Sequence, residues 1–236
     1  MMAAAIELLS TAPLSAALKQ RALQQNIVVT DFSFISVQPV LSEQLLAEIC
    51  ALASQSISAV FTSVHGVNAV ADILKTAPDN WNIYCIGHST KAAVTAFWGD
   101  KVIVSTAEYG LDLAHNIIAI DREYPVGRLV FFAGNIRGND LPDTLVQNYV
   151  AFTEYTVYET ILQPQVFNKA FNGIMFYSSS AVDSFFKVNT IKEDTVCFAI
   201  GTSTAATIKK YCSNDIVIST FTTKENVLDT AIDYFK

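Results

Sequence analysis

The chain repeats itself, and the repeat limits the folds open to it. AVFTSVHGVNAV (59–70) realigns with IMFYSSSAVDSF (174–185) at an offset of 115 residues, setting Phe61 on Phe176, Ser63 on Ser178 and Val67 on Val182. IYCIGHSTKAA (83–93) realigns with CFAIGTSTAAT (197–207) at 114, setting Ile86, Gly87, Ser89, Thr90 and Ala92 on Ile200, Gly201, Ser203, Thr204 and Ala206. VIVST (102–106) returns as IVIST (216–220), again at 114. Collinear matches at nearly one offset mark an internal duplication. Residues 8–39 pair more weakly with 130–164; both read strand, loop, helix, strand and both end in Gln-Pro. Short apolar runs such as AVFTS, NIYCIG and KVIVST, bounded by helical segments, predict parallel strands buried under helices on both faces. The predicted fold is α/β, with two doubly wound parallel-sheet domains from the duplication joined by a two-stranded β connector.

The segments DFSFISVQPV (31–40) and EYTVYETILQP (154–164) alternate polar and apolar residues around a terminal proline, as exposed or half-exposed strands do. They hold equivalent places in the two repeats and are predicted to run side by side as connector strands, 31–39 and 154–164. A chain crossing that connector twice builds a discontinuous domain from 1–30 plus 165–236 and an inserted domain from 40–153. Domains joined in this way can rock, which suits a closing cleft. Tyr155 and Tyr158 are three residues apart, so a regular strand turns them to opposite faces.

Composition removes several function classes. With 236 residues, 51% of them hydrophobic, the chain can fill one large core or two small ones. A formal charge of −7 and the absence of any Lys/Arg-rich block argue against a nucleic-acid partner, which needs clustered cations. No apolar run is long enough to span a membrane, and MMAAAIELLSTAPL does not resemble a signal peptide. Cys50, Cys85, Cys197 and Cys212 form no CxxC pair and read as reduced thiols of a cytoplasmic protein. His65, His88 and His115 lack metal-ligand spacing, so no metal is expected. FFAGNIRGNDL (131–141) has neither a GxGxxG nor a P-loop lysine, so no nucleotide cofactor is expected either.

In doubly wound sheets, ligands lie beyond the carboxyl ends of the strands. Ser63, Ser89-Thr90, Ser178 and Thr202-Ser203-Thr204 all fall where a strand hands over to its helix. There a hydroxyl caps the helix, worth about 1 kcal/mol, and the neighbouring N–H groups can hold an anion without basic side chains. Either role accounts for any one of these residues; four such corners in two related halves favour a shared ligand. Arg137 is the one arginine beside a strand end and could meet a carboxylate or simply stay solvated. His88 also reaches a strand end, but no Ser-His-Asp or Cys-His order accompanies it.

The motifs FTSVHGV, FYSSSAV, IGHST and AIGTSTAATI, in that layout and with EYTVYET between the halves, resemble the uroporphyrinogen-III synthase family over nearly the whole length. IGTSTA and TVYET are the most specific part. The resemblance implies two α/β domains linked by a two-stranded ladder with the active site in the cleft between them. It also implies a cofactor-independent lyase of tetrapyrrole (heme) biosynthesis, closing hydroxymethylbilane to uroporphyrinogen III with ring D inverted. Carried over by motif, Tyr158 of TVYET is the proton donor. Thr202, Ser203 and Thr204 after Gly201, together with Ser178 and Ser179, hold substrate carboxylates, and Thr62 and Ser63 form the matching corner of the first half with Ser89 and Thr90. Arg137 keeps a basic residue in its loop. Lys91 stands where the second half has Ala205, and His65-Gly66 replaces a more usual small pair. The enzyme is expected to act as a monomer. A two-lobed small-molecule sensor without catalysis is the alternative reading of the same fold; a regulator normally carries an output element, and none is left once both repeats are counted.

Overall fold

The computed structural model describes residues 5–87 and 89–236. In chain order the elements are β1 (Ile6–Ser10), α1 (Ala16–Leu23), β2 (Ile27–Asp31), β3 (Ile35–Pro39), α2 (Glu43–Leu52), β4 (Ile57–Phe61), α3 (Val64–Leu74), β5 (Trp81–Ile86), α4 (Ser89–Trp98), β6 (Ile103–Ala107) and α5 (Gly110–Glu123). They continue as β7 (Leu129–Gly134), α6 (Asp140–Gln147), β8 (Phe152–Leu162), β9 (Gly173–Phe176), α7 (Ser179–Phe186), β10 (Val196–Ala199), α8 (Thr202–Ile208), β11 (Ile216–Ile218) and α9 (Lys224–Tyr234). Contacts divide the chain into two compact units, Met1–Ser36 with Ile161–Lys236, and Val37–Thr160.

The discontinuous unit holds a parallel sheet in the order β11-β10-β9-β1-β2. Alternate residues of its strands enter two different cores, which is what a doubly wound sheet requires. Leu9, Ile174, Phe176, Cys197 and Ala199 pack with Val182 and Phe185 of α7 and Ile208 of α8. Leu8, Met175, Val196 and Phe198 pack on the other face with Val227, Leu228 and Ala231 of α9 and Ala22 of α1.

The inserted unit follows the same plan in the order β3-β8-β7-β4-β5-β6. Every residue of β4 is buried, because both of its faces are covered. Ile57, Ala59 and Phe61 meet α2, α3 and α4, whereas Val60 joins Leu113 and Ile117 of α5 and Leu145 of α6. By repeat equivalence (β4 with β9, β5 with β10, β6 with β11, and β1 with β7), each sheet mixes strands from both copies of the duplication.

The strand β3 lies at the edge, beside β8. Gln163 N–H donates to Phe34 O (2.8 Å) and Val40 N–H to Val157 O (3.0 Å), partners whose numbers run in opposite directions, so the two strands are antiparallel. The first part of β8 is no free-standing connector. Residues 152–158 pair with β7 in parallel and belong to the sheet.

That pairing overturns the expected strand parity. Phe132 faces Tyr155, Ala133 faces Thr156, and then Gly134 faces Tyr158, leaving Val157 as an extra residue. A bulge of this kind shifts every later side chain by one position. Tyr155 and Tyr158, expected on opposite faces, therefore share one face and pack into the same core as Phe132.

Candidate active site

In each sheet the strand order reverses once, between β7 and β4 in the inserted unit and between β1 and β9 in the other. Helices leave in opposite directions at such a point and open a crevice at the carboxyl ends of the strands. In the inserted unit this point is marked by Thr62 and Ser63 after β4 and by Gly134 at the end of β7.

Tyr158 sits over it. A Cβ on Gly134 would overlap the Tyr158 ring, with the phenol oxygen only 2.8 Å away. A Cβ on Gly66, in the first turn of α3, would stand 3.0 Å from the Phe132 carbonyl oxygen and 3.8 Å from the same ring. Two absent side chains thus make the seat for one phenol. The tyrosine is 7% exposed, and its hydroxyl makes no hydrogen bond among the described residues. The His65 ring lies beside it, with centroids 5.6 Å apart. His65 is exposed by area, yet the protein around its ring removes enough water to lower its pKa.

The serine corners act as caps. Ser63 Oγ accepts the His65 N–H at 3.2 Å at the start of α3, and Ser178 Oγ accepts the Ala181 N–H at 3.1 Å at the start of α7. Thr62 is half-buried beside the first of these. Ser179 Oγ donates to Ser203 O (3.2 Å), joining the first turns of α7 and α8. Ser89, Thr202 and Ser203 are exposed at their helix starts. Thr90 and Thr204 depart from the expectation: they are 2% and 4% exposed and turn inward. One turn of helix places these repeat-equivalent residues on the face that packs against the sheet. Gly201 caps α8 without a side chain in extended backbone (φ −173°). Among the described residues, a Cβ there would meet nothing closer than Thr222 Cγ2 at 3.9 Å. His88 lies outside the described residues.

Arg137 is not brought to Tyr158. Its Nε and Nη2 grip Glu154 Oε1 and Oε2 at 2.7 Å each, Nη1 reaches Asn139 Oδ1 at 2.6 Å, and the guanidinium lies 5.9 Å from the Phe131 ring centroid. Phe131 belongs to the core on the other face of the sheet. Hydrogen bonding to Glu154, with the charges of Glu154 and Asp143, raises the Arg137 pKa. This cation is already paired within the protein.

Sequence reasoning passed over Tyr177, at the reversal point of the discontinuous unit. Its hydroxyl lies 3.3 Å from Ser10 Oγ at the end of β1, and Lys224 Nζ is 5.9 Å from its ring centroid. Burial, with the nearby charge of Asp31, pushes the phenol up to about 12. The signal was present: the repeat sets Tyr177 on Thr62. A cavity of about 190 Å³ bordered by Phe167, Phe171 and Lys192 lies at the amino ends of β9 and β10, away from these corners. Cys85 and Cys197 are fully buried; burial pushes the Cys85 thiol up to about 11 and raises Cys197 further, helped by Cys212. Among the described residues no helix is long and apolar enough to cross a membrane.

No curated protein matches the chain in sequence. In fold it is similar to the crystal structure of uroporphyrinogen-III synthetase from Helicobacter pylori 26695, with 15% identity over 97% of this chain and 99% of that one, at a TM-score of 0.65. It is also similar to a mutant uroporphyrinogen III synthase from the extremely thermophilic bacterium Thermus thermophilus, with 13% identity over 98% of both chains at 0.69. The wild-type Thermus enzyme in a second crystal form gives 12% identity, 98% of both chains and 0.56. At these identities the likeness establishes the fold. The family model described as Uroporphyrinogen-III synthase HemD matches residues 16–228. With nine-tenths of its length under that match, the chain belongs to the uroporphyrinogen-III synthase family, cofactor-independent lyases of porphyrin biosynthesis.

Proposed function

We propose that the chain closes hydroxymethylbilane to uroporphyrinogen III, with Tyr158 giving a proton to the departing hydroxyl. The observation that carries this assignment is the seat of Tyr158: a phenol with no hydrogen-bond partner among the described residues, over the strand-order reversal and between two glycines that make room for it. Phenols are protonated at neutral pH and can donate without tuning. Proton transfer to the hydroxymethyl oxygen breaks the C–O bond and releases water, leaving an azafulvenium ion. The substituted carbon of ring D attacks that ion to give a spiro intermediate, which fragments and recloses as the inverted isomer.

The rest of the task is to hold a flexible chain of eight carboxylates in one geometry, an entropy trap. In this reading Thr62, Ser63, Ser89, Ser178, Ser179, Gly201, Thr202 and Ser203 bring N–H groups and hydroxyls to the carboxylates, and Thr90 and Thr204 support the turns from within. Neutral donors suit a chain with a formal charge of −7. Four free cysteines support a cytoplasmic setting, and light scattering would test a monomeric state.

The test supplies freshly made hydroxymethylbilane, oxidises the products and separates the isomers. Isomer III in excess over the spontaneous isomer I supports the assignment; isomer I alone, from folded protein, refutes it. Tyr158→Phe should lower turnover by about 10²- to 10⁴-fold with folding intact. Tyr155→Phe should stay near wild type, because that hydroxyl lies back along the strand where its ring stacks on Phe132, 6.1 Å between centroids.

A further inference from the structure

We propose that His65 is a second acid–base residue of this site, collecting the proton released when the macrocycle closes and returning it to Tyr158. The inference rests on the donor role given to Tyr158. In that role the phenol O–H bond breaks, the proton leaves in the water, and a phenolate remains. The substituted carbon of ring D that forms the spiro intermediate carries no hydrogen; after that intermediate fragments, the unsubstituted α-carbon of ring D attacks in the final closure, and its C–H bond breaks. Its electron pair restores the aromatic ring, and its proton needs an acceptor. The imidazole takes that proton, then passes one to the phenolate directly or through one water, so that the cycle consumes no proton and loses only water.

Three features of the structure fit His65 to the task. Its ring lies against Tyr158, 5.6 Å between centroids and tilted by 51°. Its backbone is anchored in the first turn of α3 by the hydrogen bond to Ser63, while its side chain remains exposed to an incoming substrate. Among the described residues, Tyr158 of β8 is the titratable group packed on it. Partial burial lowers its pKa, and among the described residues no carboxylate contributes a compensating charge. A helix N-terminus also disfavours an imidazolium. His65 is therefore neutral at pH 7, free to accept a proton and without charge to repel the azafulvenium ion.

Two substitutions separate this role from packing alone. His65→Phe keeps a ring against Tyr158 but cannot accept a proton; His65→Gln keeps polarity and loses basicity. The proposal expects both to lower kcat by about 10²-fold or more with thermal midpoints unchanged. It also expects the fall in wild-type kcat below the ordinary imidazole value of 6.5 to persist in Tyr158→Phe and vanish in His65→Gln. Wild-type rates in His65→Phe would show that the ring only packs, and an unchanged pH profile in His65→Gln would likewise overturn the proposal. If Tyr158→Phe is slow and both His65 variants are normal, the donor reading stands and this one falls. If only the His65 variants are slow, with the low-pH fall lost, His65 is the base and the donor assignment fails instead.

Discussion

Gly134→Ala tests the seat of Tyr158 without touching the phenol. The added methyl would overlap the far ring carbons and stand 2.8 Å from the phenol oxygen, where ordinary contact begins at 3.4 Å. The ring must retreat by roughly half an ångström or more. Overpacking of this kind costs about 1–3 kcal/mol. For a chain of this length that lowers the thermal midpoint by about 2–4 °C per kcal/mol. Displacement of a catalytic group by about 1 Å can cost about 10²-fold in rate. Gly134→Ala should therefore lose turnover on that scale with KM little changed, measured by isomer III formation from fresh hydroxymethylbilane. Tyr158→Leu in the same chain removes the overlapping ring atoms, so the double variant should recover most of the stability penalty of Gly134→Ala, measured against Tyr158→Leu alone, as a double-mutant cycle. Wild-type midpoint and turnover in Gly134→Ala would refute the placement of the ring over β7.

Gly201→Ala meets no atom of the described residues closer than 3.9 Å in backbone that any residue adopts, so its thermal midpoint should stay at wild type while KM rises; an unchanged KM would remove that corner from the substrate site. Arg137→Gln breaks the bidentate pair with Glu154, in which both side chains are half-buried. It should lower stability by about 1–3 kcal/mol and leave KM alone, whereas a large rise in KM would return Arg137 to the site. Asp31 accepts Lys19 Nζ at 2.7 Å and the Leu14 N–H at 2.9 Å. Burial works against its charge, but those partners prevail and hold its pKa below 3.8. A depressed carboxylate stabilises the fold above its ordinary pKa and loses that contribution as pH falls through the folded value. Asp31→Asn should therefore unfold earlier than wild type at pH 5–8, by about 1 kcal/mol given the exposed lysine, with the gap closing below pH 4 in thermal scans; a gap that persists at pH 2 would contradict the assignment.

Much of this fold was legible in one dimension because duplication and hydrophobic period are local properties. FTSVHGV and FYSSSAV, or IGHST and IGTSTA, announce strand ends and helix starts wherever they fall, and a fully buried strand such as ISAVF needs apolar residues at nearly every position. TVYET likewise marked Tyr158. Its direction could not be read, since parity along a strand holds only while the register holds, and the bulge at Val157 depends on pairing with β7, more than twenty residues upstream. The same limit applied to Arg137. Its loop looked open in sequence, but the acceptor that claims it is Glu154, which only the β7–β8 pairing brings within 2.7 Å. Thr90 and Thr204 looked like Ser89 and Ser203 because neighbours on a helix share a motif while facing different ways. Tyr177 and Ser10, 167 residues apart, meet only where the sheet reverses its strand order. Residue types and periods state which surfaces seek burial; which particular groups end up touching depends on pairings between distant strands, and those follow from packing the whole sheet at once.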